Sequence, residues 1–271
     1  MNQMYLDLSR GLSGEMVKMK RGVLPWMILL GGPITALMYF SLYLLAGDHY
    51  IPAAGENPWE KFVTIVYSTM AYAFVPLFLL VMASSANYLE HKSRAFDYLY
   101  TLPIKRGYFF LSKIMILLLG LIVYFLLLGL FVFLSGMLLS LIRPEFTFQL
   151  YSPDWSQIFH SSAHYLLLFL GVTVIQCWLS FRLKNVIIPI VIGLACFGIG
   201  LVLYFFIADI KGESTAATLF PYSLPFYSLD LDSKMGVVSY GGIPNIYLYS
   251  ILFLFIVTCL GFYTEERREV R

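Results

Sequence analysis

The sequence predicts an all-α membrane protein of six transmembrane helices, and three observations carry that reading. Of 271 residues, 59% are hydrophobic and 13% charged, with a mean hydropathy of +0.78, whereas soluble domains carry nearer a quarter charged residues. The apolar residues come in uninterrupted blocks instead of alternating with polar ones at helix or strand period. Six blocks approach or exceed the roughly 20 residues that cross a bilayer.

Residues 1–23 precede the first block. Met1, Met4, Tyr5, Leu8, Leu12, Met16 and Met19 recur at three- and four-residue steps, with Asp7, Arg10, Glu15 and Lys18 elsewhere around the wheel. This predicts an amphipathic helix lying in the cytoplasmic interface. Gly11 and Gly14 weaken it by about 1 kcal/mol each relative to Ala. The segment has neither the short apolar core nor the small-residue cleavage site of a signal peptide, so it is expected to stay attached. Spans are then predicted at 24–46, 62–83, 114–142, 165–181, 186–208 and 246–263, giving a single transmembrane domain over 1–271. Pro76 and Pro189 fall in the second and fifth spans, where neighbouring helices of a bundle accommodate proline. Cys177, Cys196 and Cys259 lie in the last three spans with no metal-ligand or CxxC spacing, and read as small apolar packing residues.

Orientation follows from the cations, because cytoplasmic loops retain Lys and Arg. Fourteen of the 18 fall on one side: Arg10, Lys18, Lys20 and Arg21 before the first span, Lys92, Arg94, Lys105, Arg106 and Lys113 between the second and third, Arg182 and Lys184 between the fourth and fifth, and Arg267, Arg268 and Arg271 in the tail. Lys61, Arg143, Lys211 and Lys234 fall on the other. Both termini are therefore expected in the cytoplasm. The net charge of +2 is spread over separate membrane-adjacent loops and carries no case for nucleic acid.

Several function classes lose support from what the spans lack. Their interiors contain no Asp, Glu, Lys or Arg, the residues that usually mark ion paths and proton relays; a carrier that binds Na⁺ through backbone and hydroxyl oxygens at broken helices stays open. The intramembrane polar set is Thr64, Tyr67, Ser68, Thr69, Tyr72, Thr173, Gln176 and Ser180, without the acid, base or metal ligands of a membrane enzyme. His160 and His164 stand one helical turn apart, but zinc wants further ligands and a second shell, and the pair reads as interfacial. No GxxxxGK[ST] loop occurs, so nucleotide phosphates are not cradled here in the P-loop manner.

The stretch from Leu89 to Lys113, LEHKSRAFDYLYTLPIKRGYFFLSK, is the most informative. Leu89, Phe96, Leu99 and Tyr100 can share one helical face with Glu90, Arg94 and Asp97 on the others, and Pro103 ends the helix. On its own this is equally an interfacial helix with a basic collar. However, Glu90 at the end of the second span, Thr101-Leu102-Pro103-Ile104, Arg106, and Ser112-Lys113 entering the third span resemble the ABC type-2 permease family, membrane subunits of bacterial ATP-driven exporters. The motif covers about 25 residues; family members often carry a glycine soon after the acidic residue, where this chain has His91, Lys92 and Ser93.

The resemblance implies that this loop is a coupling helix docking on a nucleotide-binding subunit through Glu90, Arg94, Phe96, Asp97, Tyr100, Pro103 and Arg106. It also implies ATP and Mg on that partner and none on this chain, a second permease subunit (a homodimer or a related paralogue), and a multi-pass location in the bacterial plasma membrane. The outer connection 209–244 holds an uncharged run, STAATLFPYSLPFYSL, too short to cross and interrupted by prolines. It reads as re-entrant or as an aromatic interface belt, and the resemblance makes Phe220, Pro221, Pro225 and Phe226 outer-gate candidates. The competing readings are an assembly or sensor protein that transports nothing, then an ion-coupled carrier, then a membrane enzyme.

Overall fold

In the computed structural model the chain is described over residues 2–20, 22–47, 51–52, 55–92, 106–207, 218–227, 239–240 and 243–267. Eight α-helices dominate these residues: α1 (Asn2–Met19), α2 (Leu24–Ala46), α3 (Pro58–Tyr72), α4 (Phe74–Lys92), α5 (Arg106–Ile142), α6 (Trp155–Arg182), α7 (Ile187–Val202) and α8 (Asn245–Glu266). A π-helical turn at Leu203–Ile207 after α7, short 3-10 turns at Pro144–Phe146, Phe148–Leu150 and Leu224–Phe226 and a two-residue ladder of Ser239–Tyr240 with Ile243–Pro244 complete them.

Among the described residues five helices are long and apolar enough to cross a membrane, and α3 with α4 makes a sixth span if the bent pair counts as one. The second span expected over 62–83 falls within this pair: helix runs from Pro58 to Lys92 and bends by 49° at Ala73. Pro76 supplies the cause. It has no N–H for the Tyr72 carbonyl and its ring crowds that oxygen, so Ala73 leaves helical geometry at φ −137° and ψ −53°. Helix resumes at once, with the Leu77 N–H donating to the Ala73 carbonyl at 3.1 Å.

Helix starts are marked by side chains that take up free N–H groups. Asn57 Oδ1 accepts from Trp59 N at 3.0 Å with Pro58 in the first turn, and Asp154 Oδ1 accepts from Gln157 N at 3.2 Å, the usual N-cap chemistry. The 37 residues of α5 span roughly 55 Å, well beyond a hydrocarbon core of about 30 Å, so its first turns project past the apolar layer.

Two apolar clusters fill the bundle. The smaller joins Leu24, Ile28, Met82, Phe110, Ile114, Leu117, Val174 and Phe181 at the end where α1 lies. The larger runs to the opposite end, where Tyr43, Trp59, Phe62, Phe146 and Phe148 meet edge-on or tilted and the Trp59 indole N–H donates to the Phe148 carbonyl at 3.1 Å. Outside, Leu29, Leu37 and Leu45 of α2, Ile187, Val191 and Leu194 of α7, and Leu252, Phe255 and Leu260 of α8 are exposed. An apolar exterior of that extent is solvated by lipid.

Glycines set how closely helices cross. A β-carbon at Gly32 of α2 would lie 2.7 Å from Leu128 N and 2.8 Å from the Tyr124 carbonyl of α5, so the two backbones meet. Ser250 of α8 enters the ladder of α6 instead: its hydroxyl donates to the Leu167 carbonyl at 2.6 Å and accepts from Gly171 N at 3.1 Å.

Candidate functional site

The connection between α4 and α5 is the first candidate. Arg94, Phe96, Asp97, Tyr100 and Pro103 lie outside the described residues; Glu90 lies in the last turns of α4 and Arg106 opens α5. What is described is the joint at the root of the two arms.

Lys113, one turn and more inside α5, is buried at 2% exposure. Its ammonium donates to Glu15 Oε2 of α1 at 3.2 Å and to the Ala86 carbonyl of α4 at 3.3 Å. The other Glu15 oxygen accepts from Lys18 at 2.8 Å. A β-carbon at Gly11 would stand 3.3 Å from the Ser112 hydroxyl oxygen and 3.4 Å from the Ser112 Cβ, so α1 lies directly on α5. The structure adds to the wheel reading of α1. Asp7, Gly11 and Glu15 are buried, on one i, i+4 face, while Met16 is 56% exposed; Leu12 and Met19 only flank the smaller cluster. The polar positions Asp7 and Glu15 are thus drawn inward with Gly11, Glu15 by the buried Lys113 of α5. The signal available was Lys113 itself: a cation leading an apolar span requires a counter-charge.

Other polar ties surround this joint. Asn87 of α4 donates to the Ser180 hydroxyl of α6 at 2.7 Å, and that hydroxyl donates to the Ala83 carbonyl at 3.0 Å. Glu265 near the end of α8 is fully buried with Arg182 Nε 3.6 Å away, and the Arg182 guanidinium lies 5.2 Å from the centre of the Trp178 ring. Gly107 of α5 receives the Phe262 ring and Gly261 of α8 the Phe110 ring, so α5 and α8 interlock at this end.

The second candidate lies at the opposite end. Residues 218–227 are tucked among α3, α6, α7 and α8, with Pro221, Pro225 and Phe226 buried and Phe220 half-buried. Phe226 stacks on Tyr72 at 5.4 Å and 10° and meets Phe197 edge-on at 6.4 Å. A β-carbon at Gly200 would fall 2.6 Å from the Tyr222 carbonyl, so the segment rests on the α7 backbone. Two side chains hold it. His164 Nε2 donates to the Tyr227 carbonyl at 2.9 Å and Nδ1 shares a hydrogen bond with the Tyr247 hydroxyl, while the Tyr222 hydroxyl donates to Gln176 Oε1 at 3.3 Å. Gln176 in turn donates to the Pro189 carbonyl of α7 at 2.7 Å. The histidine pair therefore divides: His164 is buried and anchors the segment, His160 is exposed, and among the described residues no group of three or more His, Cys, Asp or Glu could hold a metal. The cysteines differ too: Cys177 is buried and Cys196 packs partly buried against the larger cluster, as expected, while Cys259 is exposed.

The third feature is a polar stripe on α3. Glu60, Lys61, Thr64 and Thr69 are exposed and Ser68 half-buried; Lys61, Thr64 and Ser68 lie on the face away from Val66 and Met70, while Thr69 turns toward Tyr39 of α2. Ser68 donates to the Thr64 carbonyl at 2.7 Å and Thr69 to the Ile65 carbonyl. These hydroxyl protons thus satisfy the helix backbone, and the Thr69 oxygen also meets the Tyr39 hydroxyl of α2. Gln157 Nε2 reaches Thr64 Oγ1 and the Glu60 carbonyl, each at 3.1 Å.

Searches of curated proteins and of solved structures find no significant match. A family model described as "ABC-2 family transporter protein" matches residues 12–206, well over half of the chain, taking in the Glu15–Lys113 joint and the polar stripe and stopping short of 218–227 and α8. The chain belongs to the ABC-2 transporter family, as a multi-pass membrane protein of the permease kind.

Proposed function

We propose that this chain is the permease subunit of an ATP-binding cassette exporter in the bacterial plasma membrane. It forms half of a path completed by a second permease and driven by cytoplasmic ATPase subunits that bind ATP and Mg. The polar stripe of α3 carries the reading. Beyond Lys61, where the apolar span begins, α3 presents Thr64, Ser68 and Thr69 to its surroundings, whereas outward side chains such as Leu29, Val191 and Leu252 of the other spans are apolar. Such a face is favourable against water or a facing subunit and unfavourable against acyl chains.

In this reading both termini and the α4–α5 connection are cytoplasmic. The coupling segment docks with Phe96 or Tyr100 in a pocket of the ATPase, and Arg94, Asp97 and Arg106 fix its angle, the roles aromatic and Arg residues commonly take at interfaces. Glu90 and Pro103 bound the segment. ATP-driven closure of the partner then tilts α4 and α5, with α3 carried along across the bend at Ala73, and the segment 218–227 forms the outer gate. The test is purification from native membranes under mild detergent, followed by reconstitution. Recovery with a P-loop ATPase whose activity the chain stimulates in vesicles supports the reading; a chain that purifies alone and leaves such an ATPase unaffected sinks it.

A further inference from the structure

We infer that Lys113 is a positioning residue that makes α1, the end of α4 and the start of α5 one rigid unit, so that α1 moves with both arms of the coupling connection. The inference deepens the permease reading and its functional part rests on it. Three observations support it. The Lys113 ammonium bridges elements far apart in sequence, the Glu15 carboxylate of α1 and the Ala86 carbonyl of α4. It does so from a buried position, where an ion pair is costly to leave half-made. Gly11 meanwhile removes the side chain that would hold α1 away from Ser112.

A surface helix bound through apolar contacts alone could slide or lift. One fixed by a buried charge pair beneath a glycine contact has a single register, because each shift strands a charge away from water. Among the described residues, Lys18 also faces the pair and holds the second Glu15 oxygen. Force delivered to the α4–α5 connection therefore reaches α1 without slack. The unit has three members: α4 and α5 carry the connection, and α1 spreads the motion along the membrane surface.

The first test is independent of transport. Gly11→Cys with Ser112→Cys brings two β-carbons to 3.4 Å, at the short edge of the range a disulfide spans. In membranes, mild oxidation is expected to link them quickly in the parent background. Linking should be about tenfold slower in Lys113→Gln or Glu15→Gln, since one member of a buried pair is lost. It should stay near the parent rate in Lys113→Arg, which keeps the cation and its donors. Equal rates in all four backgrounds would overturn the role of Lys113.

The second test reads coupling, as transport per ATP hydrolysed in reconstituted vesicles. The disulfide-linked protein is expected to retain the parent ratio, whereas Lys113→Gln loses most of it with ATPase activity and protein yield kept. A linked protein that hydrolyses ATP but no longer transports would mean that α1 must leave α5, and the rigid unit would be wrong. Absence of any ATP-driven transport in the parent would instead defeat the permease reading, leaving the cross-linking rates to decide the role of Lys113.

Discussion

Gly32 and Gly14 show how differently one residue type serves this fold. At Gly32 the backbone of α5 lies under 3 Å from where a β-carbon would stand, and backbone cannot rotate aside. Gly32→Ala is expected to cost about 1–3 kcal/mol by overpacking, read as a lower melting temperature in detergent. Gly198→Ala serves as the control, since nothing lies within 4 Å of that position. Gly14 is likewise open, so Gly14→Ala should stabilise α1 by up to about 1 kcal/mol through helix propensity. The sequence treated both α1 glycines as weaknesses, and that holds for Gly14 alone. Nothing in the spacing of Gly11 announces Ser112 of α5 as its neighbour, because close approach is a property of two elements at once. The burial of Glu15 was not legible for the same reason: a lysine almost a hundred residues on takes it inside.

The segment 218–227 behaves as an inserted element, held by stacking on Tyr72 and by the His164 and Gln176 contacts. Its two phenylalanines are not equivalent. Phe226 is 2% exposed, so Phe226→Ala opens a cavity worth about 3–5 kcal/mol to the packing around it, whereas the half-buried Phe220 should tolerate truncation. His164→Phe keeps the ring but loses the donor to the Tyr227 carbonyl. Faster amide exchange in 218–227 is expected for Phe226→Ala and His164→Phe, with parental exchange for Phe220→Ala and no loss of assembly in any of the three. Unchanged exchange in Phe226→Ala would show that the segment is held elsewhere. The rings and prolines made this element legible as something other than exposed coil. Its anchors were not legible, since a pair of histidines before a span carries no mark of which one meets a carbonyl. The bend at Ala73 was half legible. Pro76 was visible, but whether a bundle absorbs a proline or bends around it depends on the packing on both sides of the helix.

For the whole molecule, the apolar blocks gave the spans because length and composition suffice to fix them, while the distribution of cations gives an orientation that labelling can check. Cysteines placed at Lys105 and Arg271 should be shielded from an impermeant reagent in intact cells, and those at Lys61, Asp154 and Lys234 should react. Labelling at position 105 or 271 would invert the arrangement and remove the coupling segment from the cytoplasm. With that orientation, the segment's residues make distinct predictions. A buried Phe96 anchor truncated to Ala should lose roughly 2 kcal/mol of subunit affinity, or about thirtyfold in binding, so assembly fails before membrane insertion does. Charge reversal at Arg94 acts differently. A helix that docks at the wrong angle still binds but no longer moves α4 and α5 together, so Arg94→Glu is expected to keep the complex and its ATP hydrolysis while transport falls. An interfacial helix touching only headgroups would instead tolerate both changes, because lipid offers no pocket for a ring and no fixed partner for a guanidinium. Subunit recovery, ATPase rate and transport measured side by side for Phe96→Ala, Arg94→Glu and the parent separate the two. Parental values of all three in both variants would leave the coupling role of this segment without residue-level support.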